Sequence, residues 1–212
     1  MSFNRIPEKD FLNRGPELDY LRTIAGLRGK SLAGNVLLRG ARGIGKSELL
    51  KQLHNRLFWE EDIVPFYYSF RTANLRGTNF SRDYFARFLR QYLGFIKKDP
   101  SLLAYAGEPL HSLYAQLSSA GMGWLPDLAD HFLDHVTSRD LYAQIMAAIS
   151  VPVAAAQKGG RPVLLMLDDF DVRILFIVFQ DRRCVVTGTV IDQDQLPSPF
   201  TAKRDQFSKQ NG

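Results

Sequence analysis

The sequence predicts an α/β fold with a mainly parallel sheet that is covered by helices on both faces. A short apolar strand at 35–38 leads into a glycine-rich turn and then into a helix. A second apolar run, at 163–167, is continuous and is followed at once by acidic residues. Continuous apolar strands are typical of parallel sheets buried on both faces. Between these two strands the apolar residues recur mostly at helical spacing, which indicates strands and helices that alternate along the chain.

The N-terminal part predicts a helix, a strand, a helix and a strand, in that order. Pro16 suits a first helical position, and Glu17 and Asp19 suit the first turn. The strand at 35–38 precedes a helix at about 46–58, whose leucines recur on one face. The aromatic run at 64–70 predicts the second strand.

The middle of the chain predicts mainly helices. Between 80 and 93, apolar side chains recur at helical spacing, and Arg82, Arg87 and Arg90 fall between them. Pairs that contain glycine or proline interrupt the pattern further along. Another helix is predicted at 139–157, with a kink at Pro152. We expect about 79–138 to be a helical insertion.

The C-terminal part predicts two more core strands and a tail. The run at 163–167 predicts a central strand, and 182–189 predicts another short one, whereas 172–179 is ambiguous between helix and strand. From Asp192 onward the chain is polar. We therefore assign residues 1–191 to one domain and residues 192–212 to a disordered tail.

Composition indicates an ordinary globular protein. The chain has 212 residues, of which 45% are hydrophobic and 23% charged, and a formal net charge of +5, which suits one α/β domain. This charge permits a nucleic-acid partner without requiring one. The single cysteine, Cys184, excludes an internal disulfide and fits a reducing compartment. Since the chain has no signal-peptide run and no apolar stretch of about 20 residues, we expect a cytoplasmic protein with no membrane span.

The segment 40–47 matches G-x-x-x-x-G-K-[ST], the pattern of a phosphate-binding loop. The residues of this segment are Gly40, Ala41, Arg42, Gly43, Ile44, Gly45, Lys46 and Ser47, and Glu48 follows them. We predict that all nine contribute to nucleotide binding. The glycines let the backbone curl with positive φ angles and present N–H groups to phosphate oxygens, and the start of the following helix attracts the same anion. Lys46 is predicted to reach the β- and γ-phosphates of ATP, and the Ser47 hydroxyl to ligate Mg²⁺. A glycine-rich turn that binds nothing is the alternative, and the strand–loop–helix context disfavours it.

An acidic pair follows the apolar run at 163–167. Asp168 at the strand end is the predicted Walker B carboxylate, which holds Mg²⁺ together with Ser47. Asp169 is the candidate general base that polarises the attacking water. Paired acids after a strand can also form a simple solvated turn, and the phosphate-binding loop upstream makes that alternative weaker.

These motifs resemble those of the AAA+-related P-loop ATPases of the signal-transduction (STAND) and origin-recognition-like group, including the archaeal-type ATPases. The resemblance covers about 1–190 and implies a three-layer P-loop NTPase fold. Phe11, Arg14, Glu17 and Leu18 reproduce the group's N-terminal box F-x-x-R-x-x-E-L, and the resemblance implies that this box, with Phe11 and Arg14, packs beside the adenine and ribose. The segment 184–189 resembles the strand that senses the γ-phosphate, which implies Thr187, or less well Thr189, as that sensor. Members of the group use hydrolysis as a conformational switch, often in oligomers that share the site.

The chain departs from the group in three respects. The separation between Lys46 and Asp168 is long, the segment between Asp171 and Cys184 is short and apolar, and nothing after Asp192 resembles a helical lid. The chain can therefore be a fragment, and nucleotide binding is better supported than hydrolysis. A partner subunit could supply the missing arginine finger; Arg182 and Arg183 are weaker candidates for that role than for surface residues beside a strand.

Several alternatives stay open. The chain could be a nucleotide-binding regulatory module without turnover, or a DNA-associated loader or helper ATPase. Arginines and aromatic residues at 71–98 could contact nucleic acid, although an amphipathic helix with a basic outer face explains them equally well and is the favoured interpretation. His131 and His135 share a helix face, but two ligands without a third are a weak metal site.

Overall fold

A computed structural model of the chain describes residues 7, 10, 11, 14–26, 36–41, 43–60, 62–70, 77–104, 111–118, 121–169 and 190–191. The helices are α1 (Gly15–Gly26), α2 (Lys46–Trp59), α3 (Gly77–Lys97), α4 (His111–Ser118), α5 (Trp124–Ser138) and α6 (Leu141–Gly159), with a short 3₁₀ helix at Pro100–Leu103. The strands are β1 (Leu37–Leu38), β2 (Val64–Ser69), β3 (Val163–Asp168) and β4 (Val190–Ile191). The helix predicted at 46–58 and the strands predicted at 64–70 and 163–167 are confirmed within a residue or two.

The strands form two parallel pairs. β2 pairs with β3 along its whole length, so that Val64 lies opposite Val163 and Ser69 lies opposite Asp168. β1 pairs with β4, with Leu37 opposite Val190. Both described pairings are parallel, as expected for strands whose connections run through helices. The prediction of a three-layer P-loop fold stays a prediction. The strand predicted at 182–189 and the tail at 192–212 lie outside the described residues.

Alternate residues of β2 pack into two different hydrophobic clusters. Phe66 and Tyr68 belong to the aromatic cluster, which we define as Val64, Phe66, Tyr68 and Leu165 of the strands, Phe70 after β2, Phe58 of α2, Leu103 of the 3₁₀ helix and the buried apolar side chains of α3, α4, α5 and α6 that pack with them. Tyr67 belongs to the loop-side cluster, which consists of Leu18, Leu21, Leu49, Leu53, Leu57, Ile63, Tyr67, Leu164 and Met166. Because successive strand side chains point to opposite faces, the β2–β3 pair is covered by α3 and α6 on one face and by α1 and α2 on the other.

α3 is a helix, as its sequence predicts, but it is buried on nearly all sides: of its side chains at 80–97, those of Arg82 and Lys97 are exposed. The buried side chains of this helix include Phe85, Phe88 and Leu89, each 0% exposed. Arg82 is exposed, but Arg90 is only 5% exposed. The predicted basic outer face is therefore wrong for Arg90, because this position falls on the side of the helix that packs against the rest of the molecule.

α6 begins and ends at residues suited to those positions. The Asp140 carboxylate accepts a hydrogen bond of 3.0 Å from the Ala143 N–H group, which caps the first turn. The helix continues through Pro152 and ends before Gly160, whose φ of 66° is a left-handed conformation that glycine adopts at little cost. The prediction of a helix at 139–157 is confirmed.

The edge of β2 that faces away from β3 is closed by a side chain. Val64 and Phe70 donate their N–H groups toward the β3 side, to Pro162 O and Asp168 O, at 2.9 Å each. Tyr67 faces the other way: its N–H group donates to Gln91 Oε1 and its carbonyl accepts from Gln91 Nε2, both at 2.9 Å. Among the described residues, the Gln91 amide on α3 thus takes the place of a neighbouring strand at Tyr67 and satisfies the backbone groups of this edge.

His54 on α2 joins this arrangement from the opposite face. Its Nε2 lies 3.1 Å from Gln91 Oε1. Since the two bonds to Tyr67 fix the orientation of the Gln91 amide, Oε1 can only accept, and His54 Nε2 must carry the proton. Burial, partly opposed by the hydrogen bond to Gln91, lowers the pKa of His54 from 6.5 to about 3. His54 is therefore neutral at pH 7.

Candidate functional site

The glycine-rich loop adopts the backbone conformation that its sequence predicts. Gly40, Gly43 and Gly45 have φ angles of 151°, 87° and 90°. A side chain at Gly43 or Gly45 would meet no atom within 4 Å, so glycine is required there by the backbone conformation and not by lack of space. Gly45 also precedes α2 as its N-cap residue and offers no side chain to cap the first turn. The positive end of the α2 dipole therefore lies at the loop.

Lys46 is folded into the loop. Its Nζ donates to Gly40 O at 2.7 Å and to Ala41 O at 2.9 Å. Ile44 N lies 3.5 Å from Ala41 O, which closes a turn in the same segment. These bonds hold the ammonium group inside the curve of the loop, where it can meet an anion that approaches the α2 N-terminus.

The acidic pair lies at the carboxyl end of β3, and β2 side chains hold it. Asp168 is 9% exposed, and its Oδ2 accepts a hydrogen bond of 2.5 Å from the Tyr67 hydroxyl. Its Oδ1 accepts from the Asp169 N–H group at 3.0 Å. Asp169 is exposed, has a φ of 54°, and accepts a bond of 2.8 Å from Ser69 Oγ at its own Oδ2. One carboxylate is thus buried and fixed, while its neighbour faces solvent.

One cavity brings the loop and the acidic pair together. It has a volume of about 480 Å³, which is within the range of small-molecule sites. The described residues that line it are Val36, Leu37, Leu38, Gly43, Gly45, Lys46, Ser47, Glu48, Leu50, Lys51, Leu167, Asp168 and Asp169. The predicted phosphate-binding residues of α2 and the predicted metal and base residues after β3 therefore face the same space.

The donor set of this cavity suits Mg²⁺. Ser47 supplies a hydroxyl and Asp168 a carboxylate, and both are hard oxygen ligands. The described residues contain no group of three or more His, Cys, Asp or Glu side chains that could hold a metal ion. A site that binds Mg²⁺ through one or two protein oxygens plus phosphate oxygens and water needs no such group.

The other predicted site residues divide into three sets: residues away from the cavity, one residue that lines it, and residues outside the described part of the chain. Phe11 packs against the loop-side cluster, and the Arg14 carbonyl accepts from Leu18 N at 3.1 Å, but neither residue lines the cavity. Their contact with a base stays a prediction. Glu48 lines the cavity, and its Oε1 accepts from Gln52 Nε2 at 2.9 Å. Outside the described residues lie Arg42, Thr187, Thr189, Arg182, Arg183 and Cys184.

The histidine pair on α5 has the geometry that its spacing predicts. The rings of His131 and His135 lie 4.7 Å apart in an edge-to-face arrangement. The adjacent Asp130 accepts from the Tyr114 hydroxyl at 2.9 and 2.8 Å, and this contact raises the pKa of Tyr114. The carboxylate next to the histidines is therefore engaged in a contact between α4 and α5.

Sequence patterns did not single out Tyr67, Ser69 or Lys51 as site residues. Tyr67 and Ser69 occur two apart on β2, so they point to one face, and their hydroxyls reach Asp168 and Asp169. Lys51 lies one helical turn after Ser47 and lines the cavity. The two-residue spacing of Tyr67 and Ser69 is visible in the sequence and predicts that they share one face of the strand. The register that places Tyr67 beside the end of β3 depends on distant residues and is not encoded locally.

Comparison of the chain with protein-family models, with curated proteins and with solved structures found no significant match in any of the three. In the part of the chain that the structure describes, every helix is too short or too polar to cross a bilayer.

Proposed function

We propose that this protein binds ATP with Mg²⁺ in the cavity between the glycine-rich loop and the end of β3, and hydrolyses it to ADP and phosphate. The observation that carries the proposal is the shared lining of this cavity: Lys46 and Ser47 on one side, and Asp168 and Asp169 on the other. In α/β sheets, ligands bind beyond the carboxyl ends of parallel strands. β1 leads into the loop and β3 ends at Asp168, so both strands direct their carboxyl ends to this space.

Each residue has a role that follows from its chemistry. Lys46 and the loop N–H groups stabilise negative charge on the phosphates. Ser47 and Asp168 are the residues that would hold the metal, which supplies charge neutralisation at the β- and γ-phosphates when bound. Asp169 orients the attacking water, and its exposure is consistent with a group that must reach solvent.

The proposal includes a P-loop fold of the AAA+-related kind, with the region of α3 to α5 as a helical elaboration. The four motifs quoted above support it. A cytoplasmic location is part of the same proposal, because a chain with one cysteine fits a reducing compartment. A regulatory module that binds ATP without turnover uses the same cavity, and the experiment below separates the two functions.

The test is equilibrium binding of ATP, with phosphate release measured in parallel, in the presence of Mg²⁺ and of EDTA. Lys46→Ala should weaken ATP binding by at least about tenfold, because a hydrogen bond to a charged group contributes roughly 1.5–3 kcal/mol. Asp169→Asn should bind ATP as the parent does and release no phosphate. Lys158→Ala removes an exposed lysine from the end of α6 and should change neither quantity.

The outcomes are distinct. Phosphate release that requires both Mg²⁺ and Asp169 supports an ATPase. ATP binding without release supports the regulatory module, or a site completed by an arginine from a partner. If Lys46→Ala binds ATP as tightly as the parent, the proposed site is wrong.

A further inference from the structure

Both oxygens of the Asp168 carboxylate already accept a hydrogen bond from a defined donor. Tyr67 Oη donates to Oδ2 at 2.5 Å, and Asp169 N donates to Oδ1 at 3.0 Å. The Tyr67 contact is at the short end of the range for a hydroxyl that donates to a charged carboxylate. Two donors on different oxygens fix both the position of the carboxylate and its rotation about the Cβ–Cγ bond. Each oxygen keeps one lone pair that can face the cavity.

Tyr67 is itself held at both ends. Its ring is 8% exposed and packs in the loop-side cluster with Leu164 and Met166 of β3. Its main-chain N–H and C=O groups are both bonded to the Gln91 amide, which His54 orients from α2. Because the backbone and the ring of Tyr67 are both fixed, the position of its hydroxyl group is set independently of Asp168. The hydroxyl group can therefore determine the orientation of the Asp168 carboxylate.

We propose that Tyr67 is a positioning residue of the metal site. Its hydrogen bond to Oδ2 holds the Asp168 carboxylate in an orientation in which a lone pair that neither Tyr67 nor Asp169 uses would face the magnesium of bound ATP. This inference rests on the proposed function. Carboxylates that ligate metals are generally hydrogen-bonded by outer groups, and removal of such a group typically lowers metal affinity by about 10- to 100-fold. Tyr67 is part of neither the phosphate-binding loop nor the acidic pair, and reaches the site from β2, 101 residues before Asp168.

The neighbouring residue provides a matched control. Tyr68 is also buried, and its hydroxyl also donates to a carboxylate, Asp83 Oδ2, at 3.1 Å. Because Tyr68 points to the opposite face of β2, its bond lies in the aromatic cluster and away from the cavity. Tyr67→Phe and Tyr68→Phe thus each delete one buried Tyr–Asp hydrogen bond from the same strand with no loss of ring packing.

The experiment titrates Mg²⁺ into the ATP-bound protein for the parent and both variants, and measures ATP binding in EDTA separately. Urea unfolding of each variant first establishes that it is folded. Tyr67→Phe should weaken Mg²⁺ affinity about 10- to 100-fold and leave ATP binding in EDTA unchanged, whereas Tyr68→Phe should change neither. In the Asp168→Asn background, Tyr67→Phe should have no further effect on Mg²⁺ affinity, since the group that it positions has lost its charge.

Equal Mg²⁺ affinity in Tyr67→Phe and the parent would overturn the positioning role while leaving the proposed function intact. Equal losses in Tyr67→Phe and Tyr68→Phe would assign the effect to general destabilisation and would also overturn it. If the parent protein binds no ATP in Mg²⁺ or in EDTA, the proposed function is wrong, and this inference is wrong with it.

Discussion

The aromatic cluster and the loop-side cluster cover opposite faces of the same two strands, but they differ in composition and in what lies beside them. The aromatic cluster contains stacked and edge-to-face rings such as Phe85–Phe132 and Phe66–Phe88. The loop-side cluster is smaller and mainly aliphatic, with Tyr67 as its aromatic member. Its helix α2 begins at the glycine-rich loop. The aromatic cluster therefore contains most of the buried apolar side chains of the two clusters, and the loop-side cluster lies beside the candidate site.

This difference shows how the chain separates stability from chemistry. The residues proposed to bind ATP lie in the glycine-rich loop, in the first turn of α2 and at the end of β3, where glycines with positive φ angles and partly exposed polar groups add little to the core. α3 and α6 pack against the other face of β2 and β3. The two faces are connected beside the edge of β2 that Gln91 closes, through the Gln91–His54 bond, and at the end of α2, through Lys98.

The largest effect is expected from a cavity in the aromatic cluster. Phe85 is 0% exposed, and its ring stacks on Phe132 with centroids 4.1 Å apart and 9° between the planes. Phe85→Ala should lower the free energy of unfolding by about 3–5 kcal/mol, because a buried phenyl group leaves a cavity that neighbours fill only in part. Urea unfolding measures the loss.

The same variant tests the separation of the two faces. Any folded Phe85→Ala protein should bind ATP with the parent affinity, since its α1–α2 face is unchanged. Phe85→Leu is the milder substitution to use if the alanine variant does not fold. A large change in ATP affinity at unchanged fold would mean that the aromatic cluster shapes the site directly, and the comparison of the two faces would fail.

Local features of the fold were predictable from sequence, and long-range pairings were not. The glycines of the loop and the helix that follows them form one continuous segment, and so do the apolar residues of β3 and the acidic pair after them. Each is therefore visible in its own pattern. The contacts that hold the site join residues 24, 37 and 101 positions apart: Gln91 with Tyr67, His54 with Gln91, and Tyr67 with Asp168. Such contacts depend on strand register and helix packing, which no local pattern specifies.

Arg90 shows the same limit within a single helix. A charged residue between apolar ones is normally placed on the solvent side, but α3 is packed on more than one side, by β2, by α6 and by the 3₁₀ helix. Hydrophobic periodicity defines the principal buried face of a helix and does not reveal how many other elements surround it. The aromatic residues of α3 were placed correctly because they lie on that principal face.

An effect of intermediate size on the free energy of unfolding is expected on acidification, because the His54–Gln91 contact between the two faces contains a buried neutral histidine. The folded pKa of about 3 lies below the ordinary value of 6.5, so between these values the unfolded chain binds more protons than the folded protein does. Stability therefore rises with pH through this window and is lost on acidification. At pH 5 the loss relative to neutral pH should be about 2 kcal/mol, from 1.36 kcal/mol per pH unit below 6.5.

Urea unfolding at pH 7 and pH 5 measures this loss, with His54→Gln as the reference that cannot titrate. The two proteins share every other ionisable group, so the difference between their pH dependences isolates His54. Proton NMR of the His54 ring gives an independent reading and should show no protonation down to pH 4. A parent and a variant with the same pH dependence would contradict the buried neutral state.

The smallest effect on the free energy of unfolding is expected at the second contact between the two faces, where Lys98 meets the C-terminal end of α2. Its Nζ donates to Phe58 O at 2.7 Å and to Glu60 O at 2.9 Å, and it lies 4.1 Å from the centre of the Phe95 ring. A cation at this end of a helix is favoured both by the free carbonyls and by the helix dipole. Lys98→Met keeps most of the aliphatic stem and removes the charge, so it should lower the free energy of unfolding by about 1 kcal/mol.

The adjacent Lys97, which is exposed, provides the matched control for Lys98. Lys97→Met removes the same charge one residue earlier and should change stability by less than about 0.5 kcal/mol, as is usual for exposed positions. Equal losses in the two variants would mean that net charge, and not the contact with α2, is responsible. Lys98 meets α2 at the end opposite to the glycine-rich loop. A loss of stability confined to Lys98→Met, with ATP affinity unchanged, would therefore show that this contact holds the two faces together without shaping the candidate site.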